Sequence, residues 1–269
     1  MALEFPSEDA ALDGEVHFLK LEDLYVKRAL CYPNYECPDY SRRLRSLVED
    51  GFIYLLETGG SVLGTRFLGK GYSAVVVVAR NAKYGIGALK ILRSDSRRRD
   101  LLGEAEVMMR AQPSSLVPRL YALRDFYIFR ELVSPITCKP FTRALEELVA
   151  KGDFESLRRV LKYTLTELFK LDAIRVDHTE LNRPEGHVFY CEEGRVVIID
   201  WESARVASKP SNLTSFTSYL VFRSRLSRAL TEMFEWNISE VLSALRAYKT
   251  TYSTTEFANI LRALRLVSS

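Results

Sequence analysis

Glutamine is nearly missing from this chain: Gln112 is the only one among 269 residues. Amides that degrade on heating tend to be depleted in proteins from hot environments, so the deficit points toward a thermophilic source. Histidine is almost as scarce, with three. The four cysteines, at 31, 37, 138 and 191, form no C-x-x-C pair, so the expectation is reduced thiols and no zinc. No apolar run approaches the 18 residues that a membrane span needs, and the opening Met-Ala-Leu-Glu-Phe-Pro-Ser-Glu-Asp is acidic, which argues against a secretory leader; a cytoplasmic protein is expected. A net charge of +3 gives no warrant by itself for a nucleic-acid partner. With 47% hydrophobic residues, the chain can bury a full core in one two-lobed unit or two domains.

Two stretches carry chemistry. The first reads Leu-Gly-Lys-Gly-Tyr-Ser-Ala-Val-Val-Val-Val-Ala-Arg from residue 68, then a short loop, then Ala88-Leu-Lys-Ile-Leu92. This is strand, glycine turn, strand, turn, strand. Gly69 and Gly71 lack a β-carbon, so the hairpin through Lys70, Tyr72 and Ser73 can close over an anion and offer its amides, with Val76 covering a purine base. Lys90 stands in an apolar strand and calls for a charged partner. A helix is expected over 97–111, with Glu104 in its middle as that partner and Glu106, on another face, ranked second.

The second stretch runs from His178 to Ala204. A polar segment with two histidines and two glutamates leads into Val188-Phe-Tyr190, a Glu-Glu-Gly turn, a β-branched Val-Val-Ile-Ile strand and Asp200. A carboxylate at a strand's end can be a fixed oxygen ligand for Mg2+ holding a nucleotide's phosphates, or can simply begin a turn.

Taken in order, Gly69-Lys-Gly-Tyr-Ser-Ala-Val, Ala88-Leu-Lys90, Glu104, Phe129-Arg-Glu-Leu-Val133, His178-Thr-Glu-Leu and Ile198-Ile-Asp-Trp-Glu202 resemble the eukaryotic-like protein kinase fold. The resemblance is greatest to the small atypical kinases of the RIO and KEOPS-associated type. Within that group it is to an archaeal family of predicted serine/threonine kinases, through Lys90-Ile-Leu-Arg-Ser-Asp-Ser-Arg, Asp177-His-x-Glu-Leu-x-Arg-Pro184 and Asp200-Trp-Glu-Ser-Ala204. It covers about residues 60 to 230 and implies an α+β, two-lobed fold with a mostly β N-lobe and a small helical C-lobe. The implied domains are an N-terminal extension over 1–59, an N-lobe over 60–133 and a reduced C-lobe over 134–269.

The resemblance also implies roles. Lys90 holds the α- and β-phosphates of ATP and Glu104 orients it, while backbone groups of Glu131, Leu132 and Val133 meet adenine. Asp177 to Asn182 fits the Asp-x-x-x-x-Asn of kinase catalytic loops. Yet the metal-binding Asn of the family lies about thirteen residues before the metal Asp, a position held here by His187. In that register Glu180 replaces the catalytic aspartate, His187 and Asp200 hold the metal, and Arg183-Pro184 lies in a two-residue insertion that compensates for the longer side chain. Asp177 and Glu180 both remain candidates for the catalytic carboxylate. Imidazole matches Mn2+ better than Mg2+, so Mn2+ is an alternative metal.

The remaining segments are read more coarsely. Leu19, Leu21, Leu24 and Tyr25 suggest a short helix, and Ser41 to Gly51 a capped one. Phe52 to Gly60 and Ser61 to Leu63 then suggest a hairpin, together resembling part of a winged helix in which Arg42, Arg43 and Arg45 would touch nucleic acid, or else a helix packed on the N-lobe sheet. Phe141 to Val149 and Phe154 to Leu171 are amphipathic, the second with Leu157, Val160, Leu161, Leu165 and Leu168 on its core face. Helices are expected near 214–234 and 237–268. The 65 residues after Ala204 contain no Ala-Pro-Glu and leave no room for the usual peptide-docking subdomain.

The functional expectation is an ATP- and divalent-metal-dependent serine/threonine protein kinase acting on another protein or on itself. Trp201-Glu202 keeps open a small-molecule kinase of aminoglycoside or choline type. Glu180 at the catalytic position keeps open a nucleotide-binding regulatory ATPase linked to ribosome or tRNA maturation.

Overall fold

The computed structural model describes residues 13–267 and has a mixed α+β architecture, mostly β in its first part and helical in its last. The opening nine-residue stretch, taken above as evidence against a leader, lies outside the described residues, as does the end of the last expected helix. In chain order the strands are β1 (Glu15–Phe18), β2 (Phe52–Glu57), β3 (Gly60–Val62), β4 (Thr65–Phe67), β5 (Gly69–Lys70), β6 (Ala74–Asn81), β7 (Gly85–Leu92), β8 (Leu120–Arg124), β9 (Tyr127–Arg130), β10 (Cys138–Pro140), β11 (Val176–Asp177), β12 (Val188–Cys191), β13 (Val196–Ile198) and β14 (Arg205–Val206). The helices are α1 (Leu24–Cys31), α2 (Tyr40–Glu49), α3 (Leu102–Ala111), α4 (Phe141–Lys151), α5 (Phe154–Ala173), α6 (Asn212–Phe222), α7 (Ser227–Phe234), α8 (Ile238–Thr251) and α9 (Thr254–Ala263). The described residues divide into two compact units, 13–105 with 119–136, and 106–118 with 137–267.

The first unit is built on an antiparallel sheet in the order β1-β2-β6-β7-β9-β8, with β5 also on β6. Its centre follows from sequence: Val75, Val77 and Val78 of β6 and Leu89, Ile91 and Leu92 of β7 are β-branched or aliphatic and buried where both strands are covered by neighbours. The 52–63 hairpin does not form. β2 lies between β1 and β6, and β3 pairs β4 instead, so the residues expected as a separate extension are built into the central sheet. Gly59 permits this parting: its φ is +92° and a β-carbon there would stand 2.2 Å from the Phe67 carbonyl. The helix suggested by Leu19 to Tyr25 begins only at Leu24, capped by Asp23, whose carboxylate accepts from the Val26 amide.

The three arginines of α2 have different surroundings, Arg45 being exposed. The Arg43 guanidinium is buried and donates to the carbonyls of Leu30 and Leu92, both at 2.7 Å, while Arg42 pairs with Asp125 at 3.0 Å. The helix expected from 97 starts at Leu102. Arg97, Arg98 and Arg99 would place positive charge at the positive end of the dipole, and Asp100 supplies the first acceptor, 3.0 Å from the Leu102 amide.

The second unit has the three-stranded sheet β10-β12-β13, the small pair β11-β14 and six helices, α4 to α9, among the described residues. α5 buries Leu157, Val160, Leu161, Leu165 and Leu168, the face its spacing predicts. The two long C-terminal helices are each broken. Tyr252 takes a left-handed φ of +54° and Ser253 caps the next turn through the Glu256 amide, so the chain reverses between α8 and α9, which pack together.

The expectation of reduced thiols is wrong. Cys31 bonds to Cys37, and Cys138 to Cys191 across the directly paired positions of β10 and β12. Disulfides persist in oxidising compartments and also inside hyperthermophiles, so they fix no compartment. No helix among the described residues is long and apolar enough to cross a membrane. Thiol titration of the denatured, unreduced protein should find no reactive cysteine, and Cys138→Ser should cost about 2 to 4 kcal/mol in urea unfolding by releasing a long loop. Four reactive thiols in that titration would contradict the pairing.

Candidate nucleotide and metal sites

In the first unit the glycine stretch folds as a tight hairpin. Gly69 and Lys70 pair with Val76 and Val75, and the Gly71 amide donates to the Ala74 carbonyl at 2.8 Å. Tyr72 is 75% exposed at its tip, Ser73 is buried, and the space where a Gly69 β-carbon would stand meets only the Val76 side chain at 3.8 Å. The register sets Gly69 opposite Val76, Val76 opposite Lys90 and Lys90 opposite Ile128, so these four share one row of the sheet and one face. Arg93 ties the hairpin's base: its amide donates to the Ser73 carbonyl and its guanidinium chelates Asp95 at 2.7 and 2.8 Å.

Lys90 and Glu104 meet. The ammonium lies 2.7 Å from both carboxylate oxygens, with the side chains 8% and 3% exposed. Taking both charges out of water costs several kcal/mol each before attraction offsets it, so a well-packed apolar pair would hold this position at least as well. Glu106 is not needed for the pair. Of the suggested hinge residues, Glu131 spends its amide on the Arg119 carbonyl at 2.8 Å and accepts the Arg119 amide on its carboxylate at 3.0 Å. Leu132 packs against Tyr54, Leu56 and Val78, and Val133 is partly buried.

In the second unit, Glu180, His187 and Asp200 come together. Glu180 Oε2 is 3.2 Å from His187 Nε2, and Asp200 Oδ2 is 4.0 Å from His187 Nδ1. One ligand atom from each lies within 4.8 Å of the other two, so the three can hold a divalent cation. The backbone explains the convergence. The amides of His187 and Val188 both reach the Pro184 carbonyl and the Arg183 amide reaches Glu180, so the Arg183-Pro184 insertion winds a tight turn that brings Glu180 back to His187. The Ile199 amide donates to the His187 carbonyl at 2.8 Å, extending the β12-β13 ladder to the residue before Asp200. Asp200 itself has a φ of +62°, and Thr179 one of +72°; a β-branched residue there is a genuine outlier, and such conformations cluster at functional sites.

Asp177 is not part of this cluster. It is buried in β11, and its carboxylate accepts from the Thr179 amide at 3.3 Å and the Ser211 hydroxyl at 3.4 Å. His178 is fully buried beneath the site, its ring edge-on to Trp201 at 5.0 Å and its Nε2 3.2 Å from the Ile199 carbonyl. Burial lowers its pKa and keeps it neutral. Trp201 donates to the Ile198 carbonyl at 2.9 Å and is a core residue.

Compared with family models and with curated proteins, the chain gives no match. The site therefore rests on its own geometry. That geometry includes a support that motif spacing did not flag, formed by Asp172, Asn212 and Tyr248. Asn212 accepts the His178 amide at 2.8 Å and donates to Asp172 Oδ1 at 2.8 Å. Asp172 also accepts from the Tyr248 hydroxyl at 3.0 Å. Despite these donors, burial pushes the Asp172 pKa up to about 6. The signal was present in the sequence: Asp172 lies four residues after Leu168, on the apolar face of α5.

Proposed function

We propose that the chain is an ATP- and divalent-metal-dependent phosphotransferase acting on serine or threonine hydroxyls, its own included. The observation that carries this is the buried bidentate Lys90–Glu104 pair on the row that begins at Gly69, since an ammonium so held is costly to the fold and suited to a nucleotide's phosphates. The glycine hairpin offers amides to the same phosphates, and Val76 a surface for the base.

The second unit carries a candidate metal cluster of its own. If His187 donates from Nε2 to Glu180, its Nδ1 lone pair is left for a cation shared with Asp200. An imidazole beside carboxylates suits Mn2+ more than Mg2+. The bound metal would neutralise charge on the phosphates. Glu180 would orient the acceptor hydroxyl and take its proton late; Asp177, engaged by Ser211, would shape the loop.

Incubation with labelled ATP and Mn2+ or Mg2+ tests this. Glu180→Gln should slow labelling about a hundredfold or more, whereas Asp177→Asn should lower stability more than rate. The opposite ranking would move the catalytic role to Asp177. Rapid ATP consumption on free alcohols with no protein labelling would favour a small-molecule acceptor.

A further inference from the structure

A second ligand-like cluster lies at the edge of the first unit's sheet. Glu15 and Glu57 stand directly opposite one another on β1 and β2, and His17, two residues along β1, shares their face. Two carboxylates directly opposite across an antiparallel pair destabilise it unless something neutralises them.

The imidazole is fixed from behind. His17 Nδ1 lies 3.1 Å from Asp23 Oδ2, while the other Asp23 oxygen caps α1. Tyr25 covers the ring at a centroid distance of 4.6 Å. A carboxylate that accepts Nδ1–H leaves Nε2 as a bare lone pair, the arrangement in which a carboxylate orients a metal-bound histidine. Nε2 is shielded from solvent and has no hydrogen-bond partner; Glu57 Oε2 is 3.4 Å away. The other Glu57 oxygen is already taken by the Arg66 amide at 2.9 Å. The Arg66 guanidinium is directed to the Gly59 carbonyl and Asp13, so it does not neutralise the pair.

We propose that Glu15, His17 and Glu57 bind a divalent transition metal, Zn2+ foremost, with Asp23 positioning the imidazole. Ligand atoms bound at about 2.0–2.1 Å to a tetrahedral ion stand roughly 3.4 Å apart, which matches the separation of Nε2 and Oε2. One ligand atom from each of the three residues lies within 4.8 Å of the others, and water would complete the shell. The expectation of no zinc considered cysteine spacing and the small number of histidines; it did not weigh a site made mainly of carboxylates. The ion would pin β1 to β2, making the first described strand's attachment metal-dependent.

The test is calorimetric titration of the metal-stripped full chain with ZnCl2, in a His187→Ala, Asp200→Ala background that removes the other cluster. One saturable site is expected, with a rise in Tm on loading. Affinity should fall at least tenfold in His17→Gln and in Glu57→Gln. Glu15 is exposed, so Glu15→Gln keeps the test open should the buried variants fail to fold, and it too should weaken binding severalfold. Absence of saturable binding, or unchanged affinity in Glu15→Gln, would overturn the site.

Discussion

Replacing Asp200 with alanine is expected to leave a folded protein whose phosphotransfer has fallen about a thousandfold or more. A metal that neutralises phosphate charge contributes several kcal/mol to the transition state, and each 1.36 kcal/mol is a factor of ten. The side chain is 44% exposed, so its loss opens no cavity. The backbone is the complication: at a φ of +62° an alanine pays about 1 to 2 kcal/mol that aspartate or asparagine largely avoids. Asp200→Asn therefore separates the effects. It should keep wild-type stability and still lose most activity, because an amide binds the cation without its charge. If both variants label at the wild-type rate with Mn2+ or Mg2+, Asp200 is no metal ligand in catalysis.

Asp172→Ala should be the most destabilising single change, costing about 3 kcal/mol or more in urea unfolding. It removes the acceptor of the Asn212 and Leu213 backbone amides and of the Tyr248 hydroxyl in the interior, and each buried orphan costs about 1–3 kcal/mol. The pH dependence is a sharper readout. A carboxyl whose pKa rises from 3.8 to about 6 on folding binds its proton more tightly in the native state. Its stabilising contribution is complete below pH 4 and is lost as pH rises through 6. The difference in unfolding free energy between wild type and Asp172→Asn should fall by roughly 2 to 3 kcal/mol over that window, at 1.36 kcal/mol per unit. Tyr248 and Tyr252, the tyrosines coupled to it, are pushed upward by burial and so move away from that window. A difference that is flat from pH 4 to 7 would show that the hydrogen bonds keep Asp172 ionised. Asn212 also holds the His178 amide, so Asp172→Ala should lower activity beyond what unfolding accounts for.

Much of this was legible because it is local. The aliphatic run around Lys90 specifies a buried strand, the Asp153 cap and apolar stripe specify α5, and Glu-Glu-Gly specifies the turn before β13. Glu104 was found because a buried lysine demands an anion and the next helix offers one. Apart from Cys31 and Cys37, six residues apart, the misses involve partners far apart in sequence. Cys138 and Cys191 are 53 residues apart and meet only because β10 pairs β12 in one register. β1 is a short edge strand with no pattern of its own and takes its form from β2. Arg43 reads as a basic surface residue until its carbonyl partners, on α1 and β7, are in place. Spacing could nominate both Asp177 and Glu180, and only the turn at Pro184 distinguishes which one reaches His187.

The proposed function stands on two residues, Lys90 as a phosphate-binding ammonium in the first unit and Asp200 as a metal ligand in the second. The most direct measurement is an anomalous difference map at the manganese edge from crystals grown with a non-hydrolysable ATP analogue and Mn2+. A manganese peak bonded to Asp200 and His187, and analogue phosphates touching the Lys90 ammonium, are the expected result. A nucleotide bound away from Lys90, or no manganese at Asp200, would contradict it.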